Sequence, residues 1–247
     1  MKQAPVFIGT SGWYYDHWEG VLYPSGLAKA KRFGIYARGF NSVEINATYY
    51  RLPSDSMVAG WYAKAPETFM YAVKANKDIT HNHKLKNADE VLGRFLQAIM
   101  PLKEKLGAIL FQLPPSLKRD NSLLWDFLSL LSPSPQSCFE FRHASWECDE
   151  TYDALEQAGA GHVIVSKKDY PFVEKHTGSI AYYRLHGPEQ MCASPYNDSW
   201  LEMLGDHIAS LSISGTTSYV FFNNDIGGHA VRNARSLKAF VAERVQR

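Results

Sequence analysis

The sequence predicts an α/β protein folded as a (β/α)8 TIM barrel, and three observations carry that prediction. Eight short β-rich runs recur along the chain, helical patterns stand between most of them, and all of it fits within 247 residues, a length at which such barrels form one domain. The expected organisation is therefore a single domain over residues 1–247. A doubly wound open sheet is the structural alternative, because strand count is easier to read than closure.

The β-rich runs are VFIGTS (6–11), SVEIN (42–46), MYAVKAN (70–76), AILFQLP (108–114), CFEFRH (138–143), HVIVSK (162–167), IAYYRLHG (180–187) and SYVFFNND (218–225). Between them lie helical patterns. The first spans about 28–39; the second runs from Ser54, a serine cap, to Lys64 before Pro66. The third covers about 88–100 and is expected to stop at Pro101, and the fourth, DNSLLWDFLSLL, opens on an Asp-Asn cap. Further helices are expected near 149–158, 198–212 and 229–244. Only KDYPFVEKHTGS separates the sixth and seventh runs, so the sixth helix should be short or missing and the barrel irregular there. Trp61, Trp125 and Trp200 fall on helices and are expected in the core.

Composition narrows the function classes. A net charge of +1 argues against a dedicated nucleic-acid binder, which carries a basic excess. Cys138, Cys148 and Cys192 are odd in number and widely spaced, which suits neither a disulfide framework nor a structural zinc and fits a reducing cytoplasm. The opening MKQAPVFIGTSG has too short an apolar run for a signal peptide, and no stretch approaches the ~18 apolar residues of a membrane span. No signal for an oligomeric state is present.

Splitting each run by its period of two gives an apolar face and a polar one. The apolar set is Val43 and Ile45, Tyr71 and Val73, Ile109 and Phe111, Phe139 and Phe141, Tyr183 and Leu185, Val220 and Phe222. The inward set is then Glu44 and Asn46, Lys74 and Asn76, Gln112, Glu140 and Arg142, Tyr182, Arg184 and His186, Asn223 and Asp225. Isolated buried charges cost several kcal/mol each, so such a concentration is tolerated where groups pair and face a wet mouth. In this architecture the C-terminal mouth holds the catalytic residues. The bland alternative is a set of structural ion pairs, Glu140–Arg142 and Glu44–Lys74, plugging the barrel.

GTSGWYYDHWEGVLYP (9–24), VEINATYYRLP (43–53), YAVKANKDITH (71–81), LGAILFQLPPSL (106–117), FEFRHASW (139–146), YYRLHGPEQ (182–190) and FFNNDIGGHAVRNA (221–234) follow one another along the chain. In this order they resemble the signatures of the YecE-like family, also called domain of unknown function seventy-two. The resemblance runs from about Ile8 to Phe240. It implies a TIM-barrel fold and a family without an established reaction. One departure is VSKKDYP after the sixth run, where the family tends to place an aspartate at once; Asp169 stands two or three residues late.

Cations outnumber carboxylates at the expected mouth: Lys74, Arg142 and Arg184, with His143 and His186, against Glu44, Glu140 and Asp225. This favours a small anionic ligand, with arginine as bidentate donor. Gly227 and Gly228 lead into a helix after the eighth run, a second anion-binding signal or else an ordinary turn. Glu44 and Glu140, on strands two and five, suit acid–base work across a substrate, with His186 or His143 moving a proton and Lys74 the weaker option of a Schiff base. Arg142, Arg184, Lys74, His143, Gln112, Asn223 and Asp225 are the expected ligand contacts. Trp13 and Tyr14, with Trp18, Tyr49, Tyr50 and Trp146, would wall a ring or pack loops over the rim. No cofactor is expected; Glu44, Glu140, His143, His186 and Asp225 would suit a divalent ion, but no closely spaced pair anchors one. Two functions follow: an isomerase, lyase or hydrolase of a small phosphorylated or polyhydroxylated molecule, or a module that binds a nucleotide, nucleic-acid end or phosphometabolite without chemistry.

Overall fold

The structure is a computed structural model and describes residues 3–245. All eight expected strands form: β1 Val6–Thr10, β2 Ser42–Ile45, β3 Met70–Lys74, β4 Leu106–Gln112, β5 Gln136–Glu140, β6 Gly161–Ser166, β7 Ile180–Leu185 and β8 Thr217–Phe222. They make one eight-stranded sheet in the order β1-β8-β7-β6-β5-β4-β3-β2, with β1–β8, β3–β4, β4–β5 and β5–β6 parallel. A parallel bridge from Ser11, just past β1, to Glu44 on β2 joins the two ends of that order. The helices are α1 Lys29–Gly39, α2 Ala47–Tyr50, α3 Asp55–Lys64, α4 Asp89–Ile99, α5 Asn121–Leu128, α6 Asp149–Gln157, α7 Asp198–Ile213 and α8 His229–Val245. This is the (β/α)8 TIM-barrel pattern. Among the described residues no helix separates β6 from β7, as the twelve-residue KDYPFVEKHTGS segment implied.

Local chemistry sets the helix ends as the sequence indicates. Ser54 accepts from Met57 N and caps α3, and Asp120 accepts from Leu123 N and caps α5. Helix α4 ends at Ile99, and a tighter turn follows with Pro101 at its start, where no N–H donor is needed, until the backbone kinks out of helical geometry at Lys103. One core assignment is wrong: Trp125 is 41% exposed. Helix α5 buries Leu123, Leu124, Phe127 and Leu128, and at 3.6 residues per turn position 125 points away from that stripe. Trp61 and Trp200 are only partly buried.

The chain divides into two compact units. The first comprises residues 1–44, 164–174 and 181–247. Within it Phe7 of β1 stacks on Tyr219 of β8, and Gly9 faces Ser42 so closely that a β-carbon there would lie 2.0 Å from the Ser42 carbonyl oxygen. The Tyr36 hydroxyl from α1 accepts from Thr10 N at 2.9 Å and donates to Ser42 O at 2.9 Å, tying β1 and β2 to the helix that covers them.

The second unit comprises residues 45–163 and 175–180. Phe139 stacks on Phe111 at 5.2 Å, and Phe127 of α5 meets both edge-on, so the apolar face of β4 and β5 lies under a helix. Strand β5 starts two residues earlier than expected and ends at Glu140. Its continuation is diverted because His143 caps a short turn, Nδ1 accepting from Ser145 N at 3.1 Å. The stretch before β7 is pinned to β6 by Thr177, whose Oγ1 accepts from His162 N at 2.8 Å and donates to Ala160 O at 2.7 Å.

Candidate functional site

In the second unit, Lys74, Gln112 and Glu140 are the last residues of β3, β4 and β5. Gln112 and Glu140 are register partners, and Lys74, which pairs with Leu110, reaches two residues along β4 to meet Gln112, so the three form one row. Lys74 Nζ donates to Gln112 Oε1 at 2.8 Å, Gln112 Nε2 donates to Glu140 Oε1 at 3.0 Å, and Arg142 Nε pairs with Glu140. Glu140 is fully buried, whereas the Arg142 side chain is 15% exposed. Among the described residues, the terminal nitrogens of Arg142 donate to no protein group. Lys74 Nζ also lies 4.4 Å from the centre of the Tyr49 ring. Tyr49 in turn packs edge-on against His81 at 5.1 Å. Burial, and then the charges of Lys74 and Arg142, push the His81 pKa below its ordinary value. His143 is spent on its local turn through Nδ1.

In the first unit, Glu44 is fully buried and accepts from Ser11 Oγ at 2.7 Å, Tyr182 OH at 2.8 Å, Arg184 Nε at 2.9 Å and Arg184 Nη2 at 2.7 Å. Burial alone would raise its pKa, but the Arg184 charge and these donors win and hold it at about 2. A carboxylate so low and so fully engaged does not exchange protons near neutral pH, so the acid–base role expected of Glu44 gives way to that of a fixed anchor for Arg184. At the end of β7, His186 Nδ1 accepts from Asn223 Nδ2 at 2.9 Å, a pairing that puts the ring proton on Nε2. Asp225 follows β8, half-buried, with His17 and Trp18 donating to its backbone carbonyl.

The aromatic residues divide. Trp13, Trp18 and Trp146 are buried and pack the loops, Trp13 against Phe33 at 5.2 Å. Tyr14 and Tyr50 stand largely in solvent. The loop at Gly227–Gly228 is less open to an anion than its glycines suggest. Ile226 N, Gly228 N and Ala230 N already donate to Cys192 O, Asp225 O and Asn224 O. Asp169 is exposed at φ 55°, three residues beyond the end of β6. Among the described residues, no three His, Cys, Asp or Glu side chains are grouped as metal ligands, and no helix is long and apolar enough to cross a membrane.

Sequence reasoning missed five neighbours of these strand ends: Ser11, Tyr15, His17, His81 and Cys192. Ser11 had a signal, since it directly follows β1. Tyr15 and Cys192 sit on loops, and His17 and His81 on short helical turns, Asp16–Trp18 and Asp78–Asn82, where no periodicity reports direction.

Comparison with known proteins fits this architecture. The sequence model of "Protein of unknown function DUF72" matches residues 7–247. The UPF0759 protein YecE of Escherichia coli strain K12 is 29% identical over 181 residues, spanning 71% of this chain and 64% of YecE, so the match takes in less than two thirds of that relative. The UPF0759 protein YunF of Bacillus subtilis strain 168 is 25% identical over 265 residues, covering 94% of this chain and 93% of YunF. The crystal structure of a DUF72 family protein from Thermotoga maritima superposes with a TM-score of 0.85 at 31% identity, covering 96% of this chain and 99% of that one. One from Enterococcus faecalis V583 shares the fold at a TM-score of 0.82 and 20% identity, over 96% and 95% of the two chains. The motifs quoted from the sequence, the barrel they build and these matches agree: the chain belongs to the DUF72 family.

Proposed function

We propose that the ends of β3, β4 and β5 bind the anionic group of a small phosphorylated or polyhydroxylated molecule, and that Glu140 moves a proton on it. The observation that carries this reading is Arg142. Its Nε is paired with Glu140 while, among the described residues, its terminal nitrogens meet no protein acceptor. A guanidinium held in that way presents a planar pair of donors to a phosphate or carboxylate. Lys74, fixed between Tyr49 and Gln112, supplies a second positive charge. The His81 pKa is lowered first by burial and then by the charges of Lys74 and Arg142, so both cations are felt at that ring.

Glu140 is the carboxylate of this row, buried between Gln112 and Arg142, and is the group that would accept or return a proton. That supports an isomerase, lyase or hydrolase over simple capture, since a carboxylate at an anion site repels the ligand unless it has a chemical task. No cofactor enters this scheme.

The test is thermal melting with matched pairs of sugars and sugar phosphates. Ligand at ~100 times its dissociation constant adds about 2.7 kcal/mol, a shift of about 5–10 °C for a chain of this size. A shift with the phosphorylated partner, and none with the neutral sugar, is the expected result. Arg142→Gln should remove most of it, and Glu140→Gln should retain binding while abolishing turnover. Equal shifts with both partners, or an unchanged shift in Arg142→Gln, would overturn the reading. Undiminished turnover in Glu140→Gln would remove its chemical half.

A further inference from the structure

The geometry points to a second, separate recognition element: we propose that the Asp225 carboxylate, among residues that follow β1, β7 and β8, forms a subsite for a small cationic amine. It rests on a different observation from the anion site, namely a fixed backbone carrying a carboxylate that the protein leaves under-compensated.

The Asp225 carbonyl accepts from His17 Nε2 at 2.8 Å, Trp18 Nε1 at 3.1 Å and Gly228 N at 2.9 Å. Three donors on one oxygen hold the residue in a single orientation. Its side chain is only 16% exposed. Among the described residues, the one cation within 4 Å of its carboxylate is His17, with Nε2 3.6 Å from Oδ2, and that nitrogen already serves the backbone carbonyl. A buried carboxylate without a strong partner is costly, and a ligand that brings charge and N–H donors recovers the cost.

The surroundings do not supply that compensation from within. Tyr15 donates its hydroxyl to Ser11 O at 2.7 Å, and Arg184 is engaged by Glu44. The pKa values of Tyr15 and Cys192 are both raised, first by burial and next by the charge of Asp225, which at Cys192 is opposed by that of Arg184, so the Asp225 charge is felt at both groups. Cys192 is held there at φ 63°, a left-handed conformation uncommon for a residue with a β-carbon. Its amide donates to His186 O at 2.6 Å and its carbonyl accepts from Ile226 N at 3.1 Å, which fastens the loop after β7 to the loop after β8. An ammonium group offers a full charge and three donors, whereas a hydroxyl would satisfy one acceptor and leave the charge uncompensated. Burial raises the Asp225 pKa as well, so amine binding should weaken as pH falls through that raised value while the amine itself stays protonated.

The test uses the full chain and two probe pairs at matched ionic strength, glucosamine against glucose and ethylammonium against sodium. The melting midpoint should rise by several degrees with the amine and not with its counterpart, and Asp225→Asn should abolish that difference while Arg142→Gln leaves it intact. A second measurement reads the geometry without any ligand: in a Cys148→Ser background, Asp225→Asn should speed alkylation of the Cys192 thiol by about 3–10-fold, because removing the adjacent negative charge favours the thiolate. Equal stabilisation by amines and neutral partners, amine selectivity that survives in Asp225→Asn, or an unchanged alkylation rate would each overturn the proposal.

Discussion

Glu44→Gln should destabilise the protein by about 3–5 kcal/mol, the range for removing one partner of a buried ion pair. Arg184 is 2% exposed and would keep its charge with half of its bidentate partner replaced by a weaker acceptor. The second substitution Arg184→Met should recover much of the loss, because an apolar residue of similar volume needs no counter-charge. Denaturant melts of the two single variants and the double variant decide the matter. A loss below about 1 kcal/mol in Glu44→Gln would show that the pair is dispensable.

The pH dependence follows with a definite sign. The folded pKa of Glu44, about 2, lies below its ordinary value, so its contribution to stability is present in full above about pH 4.5 and lost as pH falls toward 2. With each pKa unit equivalent to 1.36 kcal/mol, that stretch carries about 3 kcal/mol. In Glu44→Gln this part of the acid-unfolding profile should flatten.

Gly9→Ala should cost at least about 3 kcal/mol, at or above the upper end of ordinary overpacking. The added β-carbon would lie 2.0 Å from Ser42 O and 2.8 Å from the Tyr36 hydroxyl. The nearest atom is backbone on the neighbouring strand, not the end of a flexible side chain, so β1 and β2 must separate. Such a separation also strains the bonds from Tyr36 to Thr10 and Ser42. A melt indistinguishable from the unsubstituted chain would mean that the strands yield more readily than this packing allows.

The strands were legible because their signal is local. Each run combines β-branched and aromatic residues with a period of two, and its turn residues mark its ends to within three positions. The missing helix was legible from length alone. What the period could not reveal was how the inward charges pair. Glu44 takes Arg184, 140 residues along the chain, and Lys74 takes Gln112, neither of which a single run announces. Pairing depends on side-chain reach and strand stagger, and neither is written in a single run. The same limit hid His81, on the short turn Asp78–Asn82, and Cys192, on the loop after β7. It also misjudged Trp125, because an aromatic residue within a helix says nothing about which side of the apolar stripe it occupies.

The most direct test of the anion site is the titration of the His81 ring by nuclear magnetic resonance, with and without inorganic phosphate. Burial and the charges of Lys74 and Arg142 hold its pKa below the ordinary histidine value. Phosphate bound between those cations would offset their field, so the His81 pKa should rise on adding phosphate, and Arg142→Gln should both raise it without phosphate and abolish the further response. A His81 titration that phosphate leaves unmoved, in a protein whose fold is intact, would contradict an anion site at the ends of β3, β4 and β5.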